Sequence, residues 1–478
     1  MERPPLPPIT PRDRSGYEHR SVPVITPHNV ASEPISRYVP ESYYRRNTSS
    51  LVTREIILPG HNQSASTYIR EAAAALNLPG PVVSEAIQEQ NADADIPQTA
   101  PAVDAPVSGQ SVQVPATETG KRKLALLLPG HNEELIIALT IQSAVTAGQD
   151  IRDIFVVDDN SNDQTRKIAV SLLGKSQVLT VKRSGKALAV KKALKKFKIA
   201  DNYEWVHVAD ADSVFSPDYF REYVKHLTDD YVVAVGFVQS LRGNWISTYR
   251  ALSYTFSQHV NRRIQAKLDM ISVFPGPITA FRTDILDKLD FQAKTITEDF
   301  DITLQVHRYN LGKIAFIPKA INYTQDPQTF RDFCKQTQRW QRGFFQCIQK
   351  YHIGLQTQRI DISLGFQMMQ MAFFMFQLLV LIPIIMILTH DYMYIPVWMT
   401  IDFIMNSLIA IWASFAIRRW NLLGALPYFY FLRWVEVAIF LWSGYEVVVL
   451  RRFREEIKGW ATEGRRYAVN SQALQDIA

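Results

Sequence analysis

Between Lys123 and about Tyr323 the chain alternates short, largely apolar runs with segments of helical spacing. Leu124–Leu128, Ile154–Val157, Val178–Val181, Trp205–Val208 and Val232–Phe237 read as buried strands. Glu133–Ala147, Asp163–Leu173, Lys186–Phe197 and Pro217–Leu227 read as the helices between them. Strand–helix alternation at this spacing predicts an α/β domain with a mostly parallel sheet. Ligands of such sheets bind beyond the carboxyl ends of the strands, so the residues after each strand carry the candidate chemistry.

The pattern changes after Ser363. Gly365–Leu388, Tyr394–Ile417 and Leu422–Leu450 are apolar stretches long enough for a hydrocarbon core, which takes about 20 residues. About three C-terminal transmembrane helices are therefore expected. Asp402, Asn406, Arg433, Glu436 and Glu446 fall inside them, and ionisable groups at such depth face protein or a polar path. Arg418-Arg419 places the end of the second span on the cytoplasmic side. Arg451-Arg452 and Arg454 look cytoplasmic too, which makes the third segment re-entrant or interfacial, or else an exception to the charge rule.

Before the α/β region the sequence is rich in Pro, Ser, Thr and Ala and shows little periodicity. Residues 98–118 have the composition of a linker that cannot bury enough surface to order itself. The motif LPGHN occurs here at Leu58–Asn62 and again at Leu128–Asn132, the first copy a partial duplication or a coincidence. Five regions are expected: a disordered segment 1–120, a catalytic domain 121–327, an amphipathic interface segment 328–362, a membrane region 363–450 and a basic tail 451–478.

Composition narrows the partners. The 478 residues are 47% apolar, carry a formal charge of +6 and contain two cysteines. A pI near 9.0 suits a phosphorylated ligand or anionic lipid. No lysine-rich arm or zinc spacing supports nucleic acid. Cys334 and Cys347 form no framework or ligand pattern, and no signal peptide is read at the N-terminus.

Pro129-Gly130-His131-Asn132-Glu133-Glu134 follows the first strand, where a plain helix start accounts for it as well as a ligand does. Asp158-Asp159 ends the second strand, either as caps or as readers of a base and ribose. A glycine turn brings Lys186 to a helix start, a place suited to an anionic group or to an ordinary solvated charge. Asp210-Ala211-Asp212 follows the fourth strand, and Asp-x-Asp holds a hard divalent cation compactly, although aspartates are common in turns. Thr297-Glu298-Asp299 opens a helix, as caps or as the bearer of a general base. Gln336 and Arg339 share a helix face beside Trp340; an arginine and a tryptophan there suit a phosphate and a sugar ring.

In this order, Asp-Asp-x-Ser, Asp-x-Asp, Thr-Glu-Asp and Gln-x-x-Arg-Trp resemble the membrane branch of family 2 glycosyltransferases, which includes hyaluronan, chitin, cellulose and poly-N-acetylglucosamine synthases. The resemblance covers Lys123 to about Gly343 and the position of the spans. It implies an A-type nucleotide-sugar fold and an inverting displacement. Carried onto matching positions, it implies that Pro129, His131, Asn132, Glu133, Asp158 and Asp159 frame the nucleotide of a UDP-sugar. Lys186, Asp210 and Ala211 would lie along the donor, and Asp210 and Asp212 would hold Mg2+ or Mn2+. Asp299, with Glu298 beside it, would take the acceptor proton. Gln336, Arg339 and Trp340 would flank the diphosphate and acceptor, and Phe274–Ile278, with Gly276, would shape the acceptor side. Only the second LPGHN is followed by the remaining elements, so only that copy belongs to a site.

The expected function is transfer from a UDP-sugar, most simply UDP-N-acetylglucosamine, to a growing polysaccharide. Single-sugar transfer to a lipid is the first alternative and an inactive scaffold or nucleotide-sugar sensor the second. Polymer synthases of this kind carry spans before the catalytic domain. Without them, a second copy or an accessory membrane subunit would have to complete an export path.

Overall fold

The computed structural model describes residues 120–291, 295–354, 358–376 and 380–451. The expectations for residues 1–119, including the first LPGHN copy, and for the tail beyond 451 lie outside the described residues.

Eight strands form one sheet: β1 Arg122–Gly130, β2 Ile154–Asp158, β3 Val178–Thr180, β4 Tyr203–Val208, β5 Val214–Phe215, β6 Tyr231–Ser240, β7 Thr279–Arg282 and β8 Lys313–Thr324. Their order is β3-β2-β1-β4-β7-β6-β8-β5. The first four pair in parallel, and so do β6 and β8; β7 runs antiparallel to β4 and β6, and β5 to β8. The expected mostly parallel sheet is present, with three strands (β5, β7 and β8) that the apolar runs do not announce.

Alternation along β1 explains why the sheet is covered on both faces. Leu124, Leu126 and Leu128 pack into one apolar cluster with Ile137, Ile141 and Ile168, while Ala125 and Leu127 join the other with Ala189, Val190 and Ile302. The first face carries α1 Ile137–Thr146 and α2 Thr165–Leu173; the second carries α3 Lys186–Lys196. Tyr219, Phe220 and Tyr223 of α4 Tyr219–Lys225 extend the first cluster. Here α1 starts four residues later than the sequence predicts, because His131 to Ile136 form a loop laced to the next strand.

Register brings the chemistry to one edge. Gly130 lies opposite Asp158, and Leu127 opposite Val208, so β1, β2 and β4 all end together. Because β7 is reversed, its entrance is at that same edge: Thr279 pairs with Val208, which places Gly276–Ile278 beside Asp210.

Beyond the sheet follow α5 Trp245–Phe256, α6 Glu298–Arg308, α7 Phe330–Lys350, α8 Arg359–Phe376, α9 Ile382–Thr389, α10 Tyr394–Ala416 and α11 Leu426–Gly444. The described residues of the first expected span fall in α8 and α9. Among the described residues, two helices are long and apolar enough to cross a membrane, Tyr394–Ala416 and Trp420–Val449. On α10 the small Ala410 and Ala413 pack closely on Ala251 and Leu252 of α5. The ionisable groups of these segments are paired: Arg433 Nη1 lies 3.1 Å from both oxygens of Asp402, which also accepts from Asn406. Leu432 of α11 packs with Ile246, Tyr249 and Phe333, so α11 lies against α5 and α7.

Candidate active site

A cavity of about 1210 Å³ opens at the carboxyl edge of the sheet. Glu133, Lys186, Asp210, Ala211, Asp212, Gly276, Glu298, Asp299, Gln336, Arg339 and Trp340 all line it, drawn from positions more than 200 residues apart.

Pro129, His131, Asn132, Asp158 and Asp159, the other residues expected around the donor, do not line this cavity. Hydrogen bonds commit them to the loops that build its wall. His131 is buried, its Nδ1 lies 3.1 Å from the Asp159 carbonyl, and Arg183 meets its ring. Asn132, at φ 57°, accepts from Asn162 N–H at 2.8 Å through Oδ1. Asp158 Oδ1 accepts from Ser161 N–H at 3.0 Å. Both oxygens of the buried Asp159 are used by the basic turn, Oδ1 accepting from Ser184 N–H at 2.8 Å and Oδ2 from Gly185 N–H at 2.9 Å. Asp159 thus fixes the turn that delivers Lys186.

Lys186 Nζ sits on Asp210 Oδ1 and lies 3.7 Å from Glu298 Oε1. Burial opposes its charge, while Asp210 and Glu298 outweigh that and hold the ammonium above its ordinary value. Gly276 makes the approach possible: a Cβ there would come within 2.5 Å of Lys186 Nζ. Asp212, 4% exposed, completes the Asp-x-Asp turn. Among the described residues no group of three His, Cys, Asp or Glu forms a metal cluster. Two carboxylates on the wall of this cavity nonetheless fit Mg2+ or Mn2+, since such an ion takes one or two carboxylates and leaves its other positions to phosphate oxygens and water. The ammonium on Asp210 marks the same spot as one that attracts positive charge.

Glu298 and Asp299 open α6, after Thr297. Asp299 touches the cavity but is closely surrounded by protein. Burial foremost, then the like charge of Glu298, raises its pKa from 3.8 to about 6, against Lys186, the Phe300 N–H and Arg339. That value suits a group that must be ionised near neutrality and still accept a proton. Gly343 of α7 packs directly on Thr297, so α6 and α7 meet where any larger side chain would collide.

From α7 come Gln336, Arg339 and Trp340. Gln336 Oε1 and Arg339 Nε are buried without a hydrogen-bond partner among the described residues, as expected of groups that await a polar ligand. Trp340 rests on Arg250 of α5, whose guanidinium lies 4.7 Å from the ring centroid and 4.6 Å from that of Phe333. Arg250 also donates to Thr337 Oγ1 at 2.9 Å and lies 3.6 Å from Glu436 Oε1 of α11. Glu446, further on, accepts from Arg342 Nε at 2.7 Å. Sequence reasoning missed Arg250 altogether. Glu436 and Glu446 gave a signal as acids in an apolar stretch, and what they lacked was a visible partner.

Residues 205–435 match the family model described as Glycosyl transferase family group 2. The probable glycosyltransferase YdaM of Bacillus subtilis is 26% identical over 369 residues, 71% of this chain and 86% of that protein. A poly-beta-1,6-N-acetyl-D-glucosamine synthase of Staphylococcus epidermidis is 23% identical over 229 residues, 46% of this chain and 54% of the relative. A hyaluronan synthase of Streptococcus pyogenes is 23% identical over 247 residues, 47% and 57%. The matches thus span about half the length of the two synthases. Among solved structures, a mannosyltransferase of Pyrobaculum calidifontis in complex with GDP-Man and Mn2+ aligns with a TM-score of 0.39 at 14% identity, over 75% of this chain and 86% of that one. That likeness is too distant to bear on the site. Residues 205–435 thus match a family 2 glycosyltransferase domain, the family that the order of the motifs resembles.

Proposed function

We propose that this chain is an inverting membrane glycosyltransferase that moves a hexosamine from a UDP-sugar, UDP-N-acetylglucosamine foremost, onto a growing polysaccharide. The observation that carries this is the convergence of Asp210, Asp212, Asp299, Arg339 and Trp340 on one cavity. The Staphylococcus relative supports the choice of sugar by its name.

In this mechanism Asp299 accepts the proton of an acceptor hydroxyl. The freed oxygen attacks the anomeric carbon from the face opposite the diphosphate, the bond from that carbon to the diphosphate breaks, and UDP departs. Arg339 faces the charge that develops on the leaving group, and Trp340 offers a ring on which the acceptor sugar stacks. Mg2+ or Mn2+ held by Asp210 and Asp212 would neutralise the diphosphate. Lys186 would then exchange Asp210 for a phosphate oxygen.

Membrane attachment is supported by α10, whose Ile401, Ile404 and Leu408 are more than half exposed on an apolar helix. Arg419, at its end, donates to the Ser240 carbonyl of β6 at 2.8 Å, in keeping with a cytoplasmic catalytic domain. The packing of α11 on α7 favours an interfacial third segment.

A second reading, transfer of one sugar to a lipid, is favoured by the far end of the cavity, where Phe300, Phe344 and Leu364 give it an apolar wall reaching α8. Purified protein supplied with UDP-N-acetylglucosamine and Mn2+ separates the two. A ladder or high-mass, glycosidase-sensitive product supports the synthase, and a single sugar in the organic extract supports the lipid acceptor. No sugar transferred from any UDP-sugar would reject both and leave a scaffold.

A further inference from the structure

The cavity is also lined by a buried cation whose role the transfer chemistry does not use. Arg262 closes the π-helical turn Ser257–Arg262 that continues α5. It is 5% exposed and lines the cavity. Its Nη1 donates to the Val273 carbonyl at 2.6 Å, and among the described residues it makes no ion pair. Arg250 and Arg308, comparably buried, each face a carboxylate: Glu436 at 3.6 Å and Asp361 at 2.7 Å. Burial pulls the Arg262 guanidinium down to about 10, so it stays charged at neutral pH. A desolvated guanidinium held by one neutral carbonyl is poised for an anion.

A second unsatisfied group accompanies it. Gln258, in the same turn, is 4% exposed and lines the cavity, and its Oε1 has no hydrogen-bond partner among the described residues. Turns of this kind interrupt α-helices most often at functional sites. Val273 leads into Phe274–Ile278, the segment expected from the resemblance to shape the acceptor side. Neighbouring Ser272 accepts from Gln367 Nε2 of the membrane-entry helix α8 at 3.1 Å.

We propose that Arg262 and Gln258 form a subsite for an oxyanion carried by the acceptor, with Gln258 accepting from a neighbouring hydroxyl or amide N–H of the same acceptor. The oxyanion is either the phosphate of a lipid-linked acceptor or the carboxylate of an acidic sugar unit. The subsite rests on the glycosyltransferase reading for its place in the reaction, and its occupancy is measurable without turnover.

The probes are dodecyl phosphate and methyl glucuronide, each against a neutral counterpart, dodecanol and methyl glucoside. With full-length protein in nanodiscs, inhibition of UDP release and the thermal shift on binding are both read. One anionic probe is expected to bind about tenfold more tightly than its counterpart, and which one does so names the source of the charge. Arg262→Gln removes that preference, Arg262→Lys keeps most of it, and the KM for the UDP-sugar changes by less than about twofold. If Arg262→Gln does not fold, Gln258→Leu carries the test by weakening the favoured probe roughly threefold. No preference for either anion, or a preference that survives both Arg262→Gln and Gln258→Leu, overturns the subsite. An Arg262-dependent thermal shift in a protein that releases no UDP would instead sink the glycosyltransferase reading and keep the subsite.

Discussion

Replacing Glu298 by Gln removes one negative charge beside Asp299 at nearly constant shape. In the donor-free site Asp299 is raised from 3.8 to about 6, by burial first and by Glu298 second. Lys186 lies 3.7 Å from Glu298 Oε1 and opposes both. Glu298→Gln removes the repulsion and frees Lys186 to act more strongly on Asp299, so both effects lower the pKa. The net rise from 3.8 to about 6 corresponds to about 3 kcal/mol at about 1.4 kcal/mol per pH unit, and the part of it that Glu298 supplies is lost in the variant. A general base works only when ionised, so wild-type activity falls as pH drops through about 6. The acid limb of kcat/KM, which reports the free enzyme, should move to lower pH in the variant. A limb that stays in place or moves upward would refute the electrostatic account of Asp299. A lower plateau with an unmoved limb would make Glu298 a binding residue only.

Asp299→Asn should abolish transfer and yet raise Tm at pH 7.5, because the folded protein holds this carboxylate ionised against its raised pKa. Relief of that cost is about 1–3 kcal/mol, reduced by cavity water, and it disappears as pH falls through 6 towards 3.8; an unchanged Tm difference at pH 4 would contradict it. Arg250→Leu removes the cation behind Trp340, an interaction of about 2 kcal/mol when desolvated. It should impair acceptor use roughly tenfold while donor KM holds steady, as measured by initial rates at fixed acceptor and donor. Gly343→Ala drives a methyl group into Thr297 and should lower kcat at least about tenfold by displacing Asp299 from α7, with UDP binding retained in calorimetry.

In the parallel half of the sheet β1, β2 and β4 were legible because they are buried on both faces and read as largely apolar runs. By contrast, β8 was not, since Lys319 and Asn322 interrupt it, nor was β7, a four-residue strand entered from a proline-rich turn. Of the site, Lys186, Asp210, Asp212, Glu298 and Asp299 were visible as acids and bases directly after strands or at helix starts. Asp158, Asp159 and Asn132 stood in equally suggestive places, and the structure adds that each accepts from a backbone N–H of a neighbouring loop. The Glu436–Arg250–Trp340 contact joins three distant segments, and no local spacing announces it. Hydropathy alone likewise gives no sign that α11 packs on α5 and α7.

The central claim is metal-assisted transfer from a UDP-sugar through Asp299. Its most direct test is UDP release by full-length protein in nanodiscs with UDP-N-acetylglucosamine, with and without Mn2+, in wild type and Asp299→Asn. Release that needs both the ion and the Asp299 carboxylate, with UDP still bound by the variant, is the predicted result. Equal release by Asp299→Asn, or release indifferent to EDTA, would contradict the account.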